Sequence, residues 1–419
     1  MNTMLSVDEA LALIRSCCTP LDAESVALAD ASGRVLAAPV DAPRDLPPFH
    51  NSAMDGFALR WRRDLAAATP LPVLAEQAAG DGIADQSDGA CSIMTGARIP
   101  NGLDTVVPIE DCTVVARDGA GRPTSIVLSH APRPGQHMRR AGEDVAAGQR
   151  VLEAGARLDD ESLLVLRGIG IGTVAVRRRQ RLALACTGRE LVDTDGAELA
   201  AGQIANTNGP YLERMFAEAG AEVVERVTLP DDPAVFAAWL QRWLDTGIEL
   251  VVATGAVSMG RYDFVPDVLR AAGADLRFHR LKMRPGKPLL FATAGRGTLV
   301  FGLPGNPVSS TVGARFFVDA ALRTMAGRTP EPALALPLAA DARKKPGYSM
   351  LQKATWALDA EGRLQVRLLQ GQESFKTAPL VNARLWAVLP EDAAELPAGT
   401  LVPVFPLRPG GAPLDGGIR

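Results

Sequence analysis

Hydrophobic and polar positions change their period along this chain, and the changes divide it. Ser6 and Glu9 form a capping box ahead of Ala10, Leu11, Leu13 and Ile14, which predicts a short amphipathic helix stopping near Pro20. Short β-like runs over 35–40 lead into Pro43, Pro47 and Pro48, a proline cluster that marks a domain crossing. From 49 to 143 the apolar runs are brief (71–74, 105–109, 113–115, 125–128) and are separated by Gly, Pro, Asn and Asp, the pattern of a mainly β domain. From Arg181 the period alternates. Apolar strands are expected at 182–186, 221–227, 249–253, 288–293 and 298–302, and helices at 210–219, after an Asp232 N-cap, at 264–271 and at 307–325. Strand and helix in turn predict a doubly wound, mostly parallel sheet. Beyond Pro330 and Pro332 short strands return at 355–358, 364–368, 387–389 and 401–405, a small all-β tail domain.

Composition narrows the partners. With 419 residues, 47% hydrophobic and 22% charged, the chain can bury several cores. The net charge of −4 is spread rather than blocked into tails, and aromatics make up 5%, which argues against nucleic acid or an anionic membrane as main partner. No run approaches the roughly 18 to 20 apolar residues of a membrane span, and the start of the chain carries Asp8 and Glu9 without a basic region, so the expected location is the cytoplasm. Cys17, Cys18, Cys91, Cys112 and Cys186 contain no C-x-x-C spacing and read as reduced packing residues. His50, His130, His137 and His279 have no ligand or triad spacing and read as structural.

In an open parallel sheet, ligands bind beyond the carboxyl ends of the strands. There this sequence has TGRE (187–190), TGAVSMG (254–260) and LPGNPVSS (303–310), small polar loops that let backbone N–H groups approach an anion. RLKMRPGK (280–287) adds four cations in eight residues, with proline and glycine to fix its shape. Glu190, Asp231, Asp232 and Asp263 would surround the same crevice, an oxygen-rich set that suits magnesium better than zinc. No G-x-S-x-G elbow accompanies Ser309 and Ser310, which argues against a serine hydrolase.

Taken together, LPPFHNSAMDGFA (46–58), MTGA (94–97), RRAGED (139–144), TGREL (187–191), TGAVSMG (254–260), MRPGKP (283–288) and GLPGNPVS (302–309) resemble, in order and spacing, the molybdopterin molybdenumtransferase family, MoeA and the E domain of gephyrin. The resemblance implies an α/β multidomain subunit: a MogA-like doubly wound domain (1–22 plus 180–327), a small connecting domain (23–44 plus 148–179), a β-rich insert domain (45–147) and a C-terminal β-barrel domain (328–419). It implies a homodimer, with the molybdopterin adenylyltransferase and molybdoenzyme maturation factors as possible partners. It also implies a reaction in which adenylylated molybdopterin is hydrolysed and molybdate is inserted into the dithiolene, releasing AMP, with Mg²⁺ as cofactor. By position, Asp55, Asp144, Glu190, Asp231 and Asp263 match the functional carboxylates, of which Glu190, Asp231 and Asp263 are the metal candidates. Thr95, Thr187, Ser258, Arg280, Arg284, Lys287, Pro288, Asn306 and Ser309 match substrate positions. Arg189, Arg261 and Ala256 depart from the family pattern, as do Arg280, Arg284 and the loop GQESFKT (371–377). They leave open tungstate in place of molybdate, and a scaffold or partner-binding paralogue in place of an enzyme. An adenylyltransferase acting one step earlier is disfavoured by the extra domains.

Overall fold

Leu182, Leu184, Leu250, Val252, Leu299 and Phe301 pack on one side of a sheet and Ala183, Ala185, Val251, Ala253 and Val300 on the other, the alternation of strands buried on both faces. The computed structural model describes residues 4–411 except 69, 195, 197 and 258–262. It places this sheet in the first of two units, made of Met1–Glu24, Gly33–Ala37 and Val176–Arg419. The strand order is Glu222–Leu229, Arg181–Thr187, Leu250–Thr254, Thr298–Leu303, Leu290–Ala294 and Asp275–His279. The first four are parallel, Leu290–Ala294 runs antiparallel to them, and Asp275–His279 pairs antiparallel with Leu290–Ala294. The doubly wound reading therefore holds, with two corrections. The strand expected over 288–293 runs Leu290–Ala294 as half of a hairpin, and the Asp275–His279 edge strand is an addition to the expected set. Its alternating DLRFH is too short and polar to stand out in sequence.

One face of the sheet is covered by the Val7–Ser16 helix through Ala10 and Ile14, by Asn208–Glu218 through Leu212, Met215 and Phe216, and by the run that begins at Pro307. The other is covered by Pro233–Thr246 through Phe236, Trp239 and Leu240, and by Val265–Ala271. Local signals set the helix ends. The Ser6–Glu9 capping box forms in full, Asp232 accepts from the amides of Ala234 and Val235, and Gly247 closes that helix at φ +66°. The helix expected over 307–325 is continuous but changes pitch, with a π turn at Ala314–Val318 between Pro307–Gly313 and Asp319–Met325.

The same unit contains a second sheet, in which Ser349–Leu358 pairs with Leu364–Leu368 and Leu385–Leu389, followed by Leu401–Pro406 and Leu334–Pro337. A bridge from Leu338 to Val366 joins its two ends, so the sheet closes into a small barrel around Trp356, Val366, Leu385 and Val404. Arg315, in the π turn, is buried and ties the helix to this barrel. It grips Glu331 with both terminal nitrogens (2.8 and 2.9 Å), donates from Nε to the Pro406 carbonyl (3.0 Å) and lies 3.7 Å from Asp319.

The second unit is Ser25–Ser32 and Ala38–Ala175. Its six-stranded sheet runs Thr105–Pro108, Gly56–Leu59, Ala90–Ile93, Pro70–Gln77, Pro123–Leu128 and Cys112–Arg117, as the β-rich reading of this stretch requires. The helix Asp160–Gly168, capped by Asp159, is a further addition. Among the described residues no helix is long and apolar enough to cross a membrane.

Burial pushes the Asp319 carboxyl up to about 6, with the Arg315 charge opposing the shift. A carboxyl raised on folding stabilises the fold fully below its unfolded value and loses that contribution as pH rises through about 6. Asp319→Asn should remove this dependence: its stability relative to the unsubstituted protein should rise by about 2 kcal/mol between pH 4.5 and 7.5. Urea unfolding at the two pH values checks it, and a constant difference would contradict it.

Candidate functional site

Three loops at the carboxyl ends of the parallel strands come together through backbone contacts. The Thr187 hydroxyl donates to the Thr254 carbonyl (3.2 Å), and the Gly255 amide donates to the Leu303 carbonyl (3.1 Å). Gly255 has φ +91°, and a Cβ there would lie 2.5 Å from the Thr187 carbonyl oxygen, so only glycine permits the approach. Ala256 follows at φ +49°, a left-handed conformation that costs a side-chain-bearing residue about 1 kcal/mol. Its carbonyl accepts from the Val265 amide (3.2 Å), and His279 Nε2 donates to the Val257 carbonyl (2.7 Å). The first loop also leans outward: the Arg189 amide donates to Asp231 Oδ2 (3.3 Å), which sets Glu190 and Asp231 on neighbouring loops.

The Pro304–Ser310 turn is built from its own side chains. Ser310 Oγ donates to the Pro304 carbonyl, and Asn208 Nδ2 donates to the Gly305 carbonyl (2.8 Å). Asn306 takes the N-cap position, yet its side chain makes no capping hydrogen bond and instead lines a cavity. That cavity, about 340 Å³, is bounded on one side by Arg284, Gly286, Lys287, Pro288, Asn306 and Ser309. On the other side stand Met350, Leu351, Gln352, Gln372, Glu373 and Ser374 from the barrel. Two main-chain links close it. Met283 and Arg284 pair in parallel with Ser349 and Met350, and the Val308 amide donates to the Ser374 carbonyl (3.1 Å).

The barrel-side loop is held by a lysine with no exposed surface. Lys353 Nζ donates to the carbonyls of Gly371 (2.6 Å) and Lys376 (2.9 Å), and Gln372 exchanges hydrogen bonds with the Lys353 main chain (2.9 and 2.8 Å). Burial holds the Lys353 pKa below its ordinary value. Glu373 faces the cavity but pairs with Lys376 (2.7 Å), which holds its carboxyl below the usual range.

In the second unit a separate cluster forms around Asp55. Asp55 Oδ1 accepts the Thr95 amide (2.6 Å), and Thr95, through backbone and hydroxyl, keeps that carboxyl below the usual carboxylate range. Gly56 follows because a Cβ would meet the Val107 carbonyl at 2.1 Å. The Ala141 amide donates to His50 Nδ1 (2.9 Å) and the Asp144 amide to the Leu46 carbonyl (3.0 Å), which fastens the 139–144 loop beside 46–52 with the Asp144 residue exposed.

The chain is similar to known proteins. The chain matches the MoeA N-terminal region (domains I and II) over 5–170, a probable molybdopterin binding domain over 183–324 and the MoeA C-terminal region (domain IV) over 335–407. It is 40% identical over 394 residues to a Synechococcus elongatus protein named molybdopterin molybdenumtransferase, with 92% of this chain and 94% of that one covered. The chain belongs to the MoeA family. A Haemophilus influenzae MoeA-family protein of the same name is 32% identical, with 97% of this chain and 99% of that one covered. The crystal structure of the molybdopterin biosynthesis MoeA protein from Pyrococcus horikoshii superposes with a TM-score of 0.78 at 27% identity, over 96% and 99% of the two chains.

Against this MoeA framework the sequence-predicted residues separate. Arg284, Lys287, Pro288, Asn306 and Ser309 share one cavity, and Asp55 and Thr95 share one hydrogen bond. Arg280 is not among the residues lining that cavity; it turns the chain after the edge strand at φ +84°. Thr187 is buried, with its hydroxyl committed to joining two loops. Ser258 and Arg261 lie outside the described residues, while Asp263 is described at the start of the following helix. Among the described residues no three acidic, histidine or cysteine side chains come together to hold a metal ion. Sequence reasoning missed Asn208, Lys353 and Gln372. A lysine between Leu351 and Trp356 in the strand Ser349–Leu358 was the available signal.

Lys353→Met keeps the side-chain volume but leaves two carbonyls without their charged donor. The protein should lose roughly 2 to 4 kcal/mol of stability, with proteolysis concentrating in 371–377. Equilibrium unfolding and limited proteolysis measure both, and a loss under 0.5 kcal/mol, about the size of an ordinary surface change, would contradict the assignment.

Proposed function

We propose that this chain is a molybdenum insertase, a molybdopterin molybdenumtransferase that hydrolyses adenylylated molybdopterin and inserts molybdate into the dithiolene, releasing AMP. The observation that carries the reading is the cavity that joins Arg284, Lys287, Asn306 and Ser309. Two cations and two neutral polar side chains in one recess suit a tetrahedral dianion. Arg284 offers a planar fork and Lys287 a point charge. The names of the Synechococcus and Haemophilus relatives support the same reaction.

The chemistry requires placement more than strong acid or base. As molybdate joins the dithiol, two Mo–S bonds form and one oxide leaves with the two thiol protons as water. A recess that holds the oxyanion beside the sulfurs makes a dilute encounter nearly unimolecular. On the nucleotide side Glu190 and Asp231, on adjacent loops, supply negative oxygen ligands and orient water at the phosphoanhydride. Glu190 and Asp231 would be the carboxylates to hold Mg²⁺, a hard cation that such oxygens suit. When bound it supplies charge neutralisation at the phosphates. The sequence match adds Asp263 to the acidic candidates and, in the second unit, Asp144 beside the ionised Asp55, whose carboxylate accepts the Thr95 amide.

The family resemblance supports a homodimer and the four-part division of the chain. Five unpaired cysteines fit a reducing compartment such as the cytoplasm.

Purified protein incubated with adenylylated molybdopterin, Mg²⁺ and molybdate should release AMP and form active cofactor, and tungstate in parallel reports selectivity. Glu190→Gln should slow AMP release at least about tenfold, equivalent to about 1.4 kcal/mol of barrier. Lys287→Ala should instead raise the molybdate requirement and be partly rescued by excess molybdate. AMP release and cofactor formation at background rates would leave a scaffold, and an unaltered Glu190→Gln would remove that residue's role.

A further inference from the structure

Tyr348 stands outside the cavity lining, yet its ring lies against both of the cavity's cations. The Arg284 guanidinium carbon is 4.6 Å from the ring centroid and Lys287 Nζ is 5.6 Å from it. The main chain around Tyr348 is fixed from three directions. Lys344 Nζ donates to its carbonyl (2.9 Å), the Ser349 amide to the Lys282 carbonyl (2.9 Å), and the Gly347 amide to the Glu391 carbonyl (2.9 Å). A Lys282–Glu391 ion pair of 3.0 Å locks two of these partners together. The ring is therefore presented by a fixed segment, while the two cations end long side chains, Arg284 exposed and Lys287 half-buried.

Two like charges on long side chains repel and sample many rotamers when nothing holds them. An aromatic face carries the negative end of a quadrupole and attracts both. It lowers the repulsion and removes rotamer freedom that an arriving anion would otherwise have to freeze. Lys287 first and Arg284 second also hold the Tyr348 phenol below its ordinary pKa. We propose that Tyr348 is a positioning residue for the oxyanion, its ring face holding Arg284 and Lys287 together at the cavity mouth so that a tetrahedral dianion meets both at once. This rests on reading the cavity as the oxyanion site. The role acts through the two cations, so it falls on oxyanion affinity rather than on phosphoanhydride cleavage.

The test uses full-length protein carrying Tyr348→Phe, Tyr348→Leu or Tyr348→Met, with molybdate and tungstate binding measured by calorimetry and turnover measured against molybdate concentration. Phe keeps the face, and binding should stay within about twofold of the unsubstituted protein. Leu and Met remove it, and both should weaken binding about fivefold or more, with the change in KM for molybdate and less than about twofold in kcat. Met has nearly the volume of Leu but is unbranched and reaches further, so agreement between two side chains of different shape argues against a packing defect. Unchanged or tighter binding in both, or a Phe variant as weak as Leu, would overturn the proposal. Arg284→Ala and Lys287→Ala separate the two failures. If these bind molybdate normally, the cavity is not the oxyanion site; if they lose binding while Tyr348→Leu does not, only the role of Tyr348 falls.

Discussion

Two residues of main chain determine how this site is built. Met283 and Arg284 leave the α/β layer and pair in parallel with Ser349 and Met350 at the start of the barrel's longest strand. That short ladder brings a cation-rich loop against residues more than sixty positions away in sequence. Two walls of the cavity follow from it, Arg284 and Lys287 on one side and Met350 to Gln352 on the other, with Tyr348 at the rim. The pairing is short because the barrel need not extend the sheet. Arg315 and the Val308–Ser374 hydrogen bond fasten the rest of the barrel to the α/β layer, and their donors and acceptors are all satisfied by the other side.

Charge is distributed with a purpose that the net value hides. Arg315 and Lys353 lie inside, and their donors are taken by Glu331, Pro406, Gly371 and Lys376, so they shape backbone and bind nothing. Glu373, which would repel an anion from within the cavity, is paired with Lys376. Arg284 and Lys287 remain to face a ligand. Under the proposed function, two cations gathered in one recess are how a chain of net charge −4 would recruit an oxyanion.

Much of the α/β layer was legible because its signals are local. The Ser6–Glu9 box, the Asp232 cap and the alternation at 182–186 act within a few residues, and each formed as read. The glycine loops were legible for the same reason: one close approach requires Gly255, and a glycine between a strand and a polar loop is itself the mark of such an approach. The far wall of the cavity was not legible. Gln372 and Tyr348 look like ordinary barrel-loop residues until tertiary pairing places them near Arg284. Arg280 shows the converse, since four cations in eight residues suggested one cluster while this one sits at a backbone turn, φ +84°, and is not among the residues lining the cavity. The acidic residues were grouped by proximity along the strand ends, and Asp232 proved committed to its helix cap.

Anomalous diffraction at the molybdenum absorption edge, from crystals equilibrated with molybdate, tests the central claim most directly. One strong peak is expected in the cavity, with molybdate oxygens within hydrogen-bond distance of the Arg284 guanidinium and Lys287 Nζ. A well-ordered molybdenum peak elsewhere in the protein, with this cavity vacant at saturating molybdate, would contradict it.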